Sequence, residues 1–371
     1  MTRHIPIGKP LLGVEEIRSV LKVLESGVLS VPSTSGGPMI QAFEKTLAEY
    51  VRCKHAIAVN SGTSALSVSL MALGVKAGDE VIVPSFTYGA TANTVLLLGA
   101  KPLFIDIDPK TYNMDPDLIE AKITGRTKAI VPVHLFGLCA DMDLINEIAA
   151  IHGLHVIEDA AQALGSEYKG KKAGNLGDVG CFSFYPGKVM TTGEGGAITT
   201  NNDELALRMR MIRNHGQEKA YEFAVLGSNY RMPEMEAAIG VEQLKKLPSF
   251  LEARRNNARR LGETLQFVSS LTLPFENELF KHNWYLYTIK LDASIDRDTV
   301  VQKLNADGIE ARVYYSAPVH TTPLYRRLGF ATEHLPFTME ASKSIFSLPV
   351  HPGVSPQDVD FMTGAVKKIL G

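Results

Sequence analysis

Three stretches of this 371-residue chain place reactive side chains where a strand-like run gives way to a helix-like one. Such junctions suit anions, because backbone N–H groups and the positive end of the helix dipole converge there. The first is Asn60-Ser61-Gly62-Thr63-Ser64-Ala65 after the run AIAV, with a glycine for close backbone approach and hydroxyls at a helix start. That is a phosphate cradle in miniature, although a Ser/Thr N-cap is the ordinary explanation of such a junction. The second is VIEDAAQALG, where Glu158 and Asp159 close an apolar strand. A carboxylate there either caps a helix or holds a cation. The third is CFSFYPGKVMTTGEGGAITT, in which Lys188 lies between an aromatic strand and a threonine- and glycine-rich segment. Most lysines are solvated surface charges. Apolar surroundings disfavour an ammonium and favour the neutral amine that attacks a carbonyl, so Lys188 is a candidate nucleophile.

Other motifs carry less. Gly165 to Lys172 has Walker-A spacing but ends in lysine where the Mg²⁺ ligand must be Ser or Thr, and TGEGGA lacks the full dinucleotide-binding pattern. The pair His152 and His155 falls at a helix–strand connection without the glutamate of a zinc peptidase, and no metal is expected.

The elements that must hold these residues alternate in kind. From about Lys54 to Thr200, β-branched runs apolar on both faces alternate with helical stretches, the pattern of a mostly parallel sheet covered on each side. Before them, Gly13 to Leu24 reads as an amphipathic helix that packs on the body through Val14, Ile17, Val20, Leu21 and Leu24. Beyond them come helices at Glu204 to Asn214 and Pro233 to Leu247, strands in NWYLYTIKL and GIEARVYY, and helices near Arg297 to Asp307 and Met339 to Ile345. The expected organisation is α/β, with a large domain over residues 1–244 and a smaller α+β domain over 245–371.

Bulk properties exclude several classes. Hydrophobic residues make up 45% and charged residues 21%, as in ordinary globular enzymes. A net charge of -2 gives no footprint for a phosphate backbone, so no nucleic-acid partner is expected. Cys53, Cys139 and Cys181 are widely spaced, which suits a reducing cytoplasm. No apolar run is long enough for a membrane span or an export signal.

Taken in order, SGTSAL, VPSFTY, VHLFG, EDAAQALG, SFYPGK–TTGEGG, RNHG and NYRMPEMEAAIG resemble the DegT/StrS family of sugar aminotransferases, pyridoxal-phosphate (PLP) enzymes of fold type I. The resemblance runs from about Gly13 to the C-terminus. It implies a mostly parallel seven-stranded sheet flanked by helices, plus a small C-terminal domain. Lys188 would carry PLP as a Schiff base and shuttle the proton; Asp159 would pair with the pyridinium nitrogen, and Gln162 would lie beside the ring hydroxyl. Tyr88 would stack on the ring. Gly62, Thr63 and Ser183 would hold the phosphate, and Asn229 would reach it from the partner subunit of a homodimer with shared active sites. His320 and Tyr314 would lie on the sugar side. The implied reaction is ping-pong transfer of an amino group from glutamate or glutamine to a keto group of a nucleotide-linked deoxysugar. Relatives also include sugar dehydratases, which carry His where Lys188 stands, cyclitol aminotransferases, and members described as regulators. Two departures stand out: Ser26 to Phe43 is longer than the usual stretch, and Ser228 replaces a frequent tyrosine.

Overall fold

The computed structural model describes residues 3–371. Its centre is a seven-stranded sheet of β1 (His55–Val59), β2 (Glu80–Pro84), β3 (Lys101–Ile105), β4 (Thr127–Ile130), β5 (His155–Asp159), β6 (Val179–Ser183) and β7 (Gly196–Thr200), in spatial order β1-β7-β6-β5-β4-β2-β3. The neighbours run parallel except β7, which is antiparallel to both β1 and β6. Alternation sends successive side chains to opposite faces. Ala56 and Ala58 of β1 and Ile82 of β2 join one core, with residues of α2 (Pro38–Val51), α5 (Met142–His152) and α7 (Glu234–Leu265). Ile57, Val59, Val81 and Val83 join the other, against α3 (Gly62–Ala72), α4 (Ala90–Leu97) and α6 (Asp203–Arg213). The sheet is buried on both faces, as its unbroken apolar runs require.

The helix expected over Pro233 to Leu247 does not stop there. α7 runs 32 residues to Leu265, with Pro248 inside it. An interior proline costs a helix about 3 kcal/mol. Burial of Leu244 and Leu247 in the large core and of Leu261 and Leu265 in the small one, at about 1.5–3 kcal/mol each, outweighs it. One helix therefore feeds two cores, and residue 245 falls in its middle. The second core is built on a three-stranded antiparallel sheet, β8 (Leu271–Thr272), β9 (Tyr287–Leu291) and β10 (Ile345–Leu348), with α8 (Arg297–Ala306) and α9 (Pro356–Leu370) packed on it. GIEARVYY makes only isolated bridges, Ile309 to Ile5 and Arg312 to Ser347, and forms no strand of its own.

The opening helix, α1 (Val14–Ser26), reverses its expected orientation. Its stripe of Val14, Ile17, Leu21 and Leu24 faces outward, with Ile17 62% exposed. Val23 and the carboxylate of Glu16 face α7 instead, where Glu16 accepts bonds from Gln243 Nε2 (2.8 Å), Lys246 Nζ (2.8 Å) and its own cap amide at Gly13 (2.7 Å). Burial works against that carboxylate, yet these donors outweigh it and hold its pKa at about 2. The longer Ser26 to Phe43 segment is tied to the body: Arg213 Nη2 donates to Thr34 O (2.6 Å), and Met39 N to Glu234 Oε2 (2.7 Å).

Candidate active site

The C-terminal ends of β1, β5 and β6 converge, and each carries one of the three junctions. Asp159 ends β5 and pairs in register with Cys181 of β6, two residues before Ser183. Ser183 in turn pairs with Gly196 of β7, where a Cβ would strike the Ser61 backbone at 2.4 Å. Glycine at 196 is what lets the start of α3 settle onto the sheet. A Cβ on Gly62 would likewise come within 2.7 Å of Ser183 Cβ, so those two residues form the walls of one small concavity. Ser61 caps α3 by accepting from Ser64 N at 3.0 Å, while the opening amides of the helix have no partner within it. Thr63 is exposed beside them.

Lys188 lies after a turn closed by its own N–H to Tyr185 O, 2.9 Å, with its ammonium 4.8 Å from the centre of the Tyr285 ring. Burial pulls its pKa down to about 8, against the opposing fields of the Asp159 carboxylate and the Tyr88 and Tyr185 phenols. About a tenth of the side chain is therefore the free amine at pH 7, where an ordinary lysine would have less than a thousandth. Asp159 is almost fully buried; it accepts from Thr91 Oγ1 at 2.8 Å and from the amide of Ala161 at 3.2 Å. Burial raises its pKa, and the bond from Thr91 and the nearby Lys188 charge only partly reverse this. Among the described residues no cation pairs with this buried carboxylate, an arrangement that a pyridinium would complete.

Its neighbour in sequence does something else. Glu158 points to the opposite face of the strand, fully buried, and accepts from His134 Nε2 (2.9 Å) and from the amides of Gly174, Leu176 and Gly177 at 2.7–2.8 Å. It fastens a loop to the sheet. Gln162 accepts from Phe136 N at 2.7 Å and donates to Tyr315 OH at 3.0 Å. Tyr88 is 68% exposed, an aromatic face open to a ligand. Asn229 is also exposed, its Oδ1 engaged by Arg231 N at 3.3 Å.

On the expected sugar side the two residues part company. Tyr314 is half-buried beside Tyr315, ring centres 6.2 Å apart. His320 is 2% exposed, packed on Phe104, with Nδ1 2.6 Å from Ser85 Oγ. Thr91, Tyr285 and Tyr315 escaped the sequence reading. Thr91 had at most the four-residue spacing to Thr87, which lies just before α4 and whose hydroxyl is 3.0 Å from that of Thr91. Tyr285 and Tyr315 had none, because what places them is a long-range contact.

A half-buried lysine in the field of a buried carboxylate, at the strand ends of a mostly parallel sheet with a smaller second domain, is the arrangement of the PLP-dependent transferases of fold type I. Residues 10–367 match the DegT/DnrJ/EryC1/StrS aminotransferase family, and the chain belongs to it. It is similar to GDP-perosamine synthase of Caulobacter vibrioides, 43% identical over 372 residues covering 99% of this chain and 98% of that one. It is also 43% identical over 331 residues to UDP-2-acetamido-2-deoxy-3-oxo-D-glucuronate aminotransferase of Pseudomonas aeruginosa, covering 89% and 90%. Among solved structures it resembles S. venezuelae DesV in complex with a ketimine intermediate, with a TM-score of 0.93, 36% identity, and coverage of 100% and 99%. The chain is a sugar aminotransferase. Among the described residues no helix is long and apolar enough to cross a membrane.

Proposed function

We propose that this chain binds PLP through Lys188 and transfers an amino group from glutamate or glutamine to a keto group of a nucleotide-linked deoxysugar. The observation that carries the reading is a lysine amine brought to about 8 by burial, in the field of a buried Asp159 that pairs with no cation among the described residues. When bound, PLP supplies an electron sink for the carbanion formed at the amino-bearing carbon. Everything else falls to the chain. Lys188 would hold the cofactor through its amine and would carry the proton to and from the reacting carbon. Asp159, oriented by Thr91, holds a proton on the ring nitrogen. Gln162, fixed by Phe136 N and Tyr315, would hold the ring's edge, and Tyr88 would pack on its face. Gly62, Thr63 and Ser183 hold the phosphate at the start of α3.

Nucleotide-linked substrates are favoured because the two curated relatives at 43% identity are named for GDP- and UDP-sugars. Tyr314, half-buried beside Tyr315, is assigned in this reading to the sugar side. We read His320 as a packing residue, since burial and Ser85 leave its ring little to offer a ligand. We also place Asn229 in the partner subunit's site within a homodimer, in keeping with its exposure.

The test is the absorbance spectrum of the purified protein with PLP, before and after excess glutamate, beside Lys188→Ala. A visible band that glutamate converts to a near-ultraviolet band, and that the variant alters, is the expected result. A band that no amino donor discharges would instead indicate dehydratase or regulatory chemistry, and a protein that takes up no PLP would overturn the proposal.

A further inference from the structure

Residues 282–286 run as a strap from the small domain across the large one. Asn283 Nδ2 donates to the carbonyls of Gln162 (2.8 Å) and Leu164 (3.0 Å), and the amides of Asn283 and Leu286 reach Gly137 O (3.2 Å) and Phe136 O (3.3 Å). The approach is so close that a Cβ on Gly137 would lie 1.8 Å from Asn283 Oδ1. Within the strap Trp284 takes a left-handed φ of 55°, a conformation costly for a bulky aromatic residue, which turns the next side chain, Tyr285, toward Lys188.

One group on α7 holds that turn. The side chain of Arg254 is 4% exposed, and its Nη1 donates to the carbonyls of both Trp284 (3.0 Å) and Tyr285 (3.2 Å). It pairs with no carboxylate among the described residues, and its buried Nε has no hydrogen-bond partner. Burial pulls its pKa down to about 10. An uncompensated buried guanidinium is among the costliest groups a protein can carry, so its retention calls for a gain elsewhere. The gain available here is geometric: two carbonyls that follow one another in a strained turn are gripped by a single nitrogen.

We propose that Arg254 is a positioning residue for Lys188, gripping the Trp284 and Tyr285 carbonyls so that the left-handed turn holds the Tyr285 ring against the lysine amine. The ring confines the amine on one side and attracts it in its charged form. This rests on the reading of Lys188 as the cofactor's amine for its meaning, but the geometry can be tested without cofactor.

The cofactor-free full-length protein is labelled with trace acetic anhydride at pH 8, and the Lys188 peptide is compared by mass spectrometry with those of exposed lysines. Tyr285→Leu should raise the relative labelling of Lys188 by about threefold or more, as the ring no longer covers it. Arg254→Met should raise it by the same factor, and the double variant no further than either single, because both act through one contact. Wild-type labelling in Arg254→Met, or a double variant whose effect is the product of the singles, would overturn the proposal. If Arg254→Met does not fold, Arg254→Gln, whose shorter amide can meet at most one carbonyl, takes its place. Labelling between those of the wild type and Tyr285→Leu is then expected, and unchanged labelling sinks the idea. The outcome is separable from the cofactor assignment: a protein that binds no PLP yet loses Lys188 protection with Arg254 overturns that assignment and leaves this inference standing.

Discussion

Lys188 makes no ion pair among the described residues, and its low pKa states what its burial costs. An ordinary lysine titrates at 10.5 and this one at about 8, so the unfolded chain holds its proton more tightly than the folded one. Below pH 8 the ammonium is present in both states and the full penalty, about 3 kcal/mol, weighs against folding. Between 8 and 10.5 the folded protein has already released the proton, and the penalty fades. Lys188→Met in the cofactor-free protein should therefore be more stable than wild type by up to about 3 kcal/mol at pH 7, with the margin shrinking toward pH 10.5. Urea unfolding of both proteins at pH 7 and pH 10 measures it, and a margin independent of pH would show that the lysine is not held as described. At this scale the sequence was informative where chemistry is local. Lys188 and Asp159 stood out by residue type at the ends of strand-like runs, and Ser183 entered through the family resemblance. The groups that orient them did not, because Thr91, Tyr285, Tyr315 and Arg254 come from other elements and only the fold brings them near.

Among elements, the close contact between α3 and β6 shapes the proposed phosphate site. Gly62 and Ser183 come from segments more than a hundred residues apart, yet no side chain fits between them. Gly62→Ala should push its methyl into Ser183 Cβ, at a cost of about 1–3 kcal/mol and with weaker PLP binding. Ser183→Gly in the same chain removes the opposing carbon and should recover most of the stability without restoring the affinity, since the hydroxyl is gone. Thermal melts and PLP titrations of the two singles and the double variant separate these effects. Full recovery of affinity would mean that Ser183 makes no bond to the phosphate. The strands and helices of the large sheet were legible because their apolar runs are long and buried on both faces. Three elements were not. GIEARVYY has strand composition but only isolated partners at 309 and 312. α7 continues through Pro248 because two cores bury it from opposite ends. α1 has the periodicity of a packed helix, but periodicity reports that a face is apolar and not which neighbour covers it.

For the whole molecule, two apolar features lie open, the outward stripe on α1 and the exposed Tyr221, Phe223 and Leu226 in and just after the hairpin of residues 217–223. Apolar surface of this extent suits a second copy of the chain, and a homodimer in which Asn229 serves the partner subunit has a consequence that a self-contained site lacks. Lys188→Ala and Asn229→Ala each damage both sites of their own homodimer. If the two proteins are mixed and allowed to exchange subunits, about half of the dimers are mixed, and each of those carries one site with both defects and one with neither. Activity at limiting PLP should then rise from the low level of either parent toward about a quarter of wild type. It should rise only after exchange, which sedimentation or native mass spectrometry of differently tagged subunits can follow. If Asn229 instead served the site of its own chain, every site in the mixture would carry a defect, and no mixing ratio would restore activity. The experiment therefore tests the placement of Asn229 and the functional meaning of the dimer together, without requiring that the interface be located beforehand.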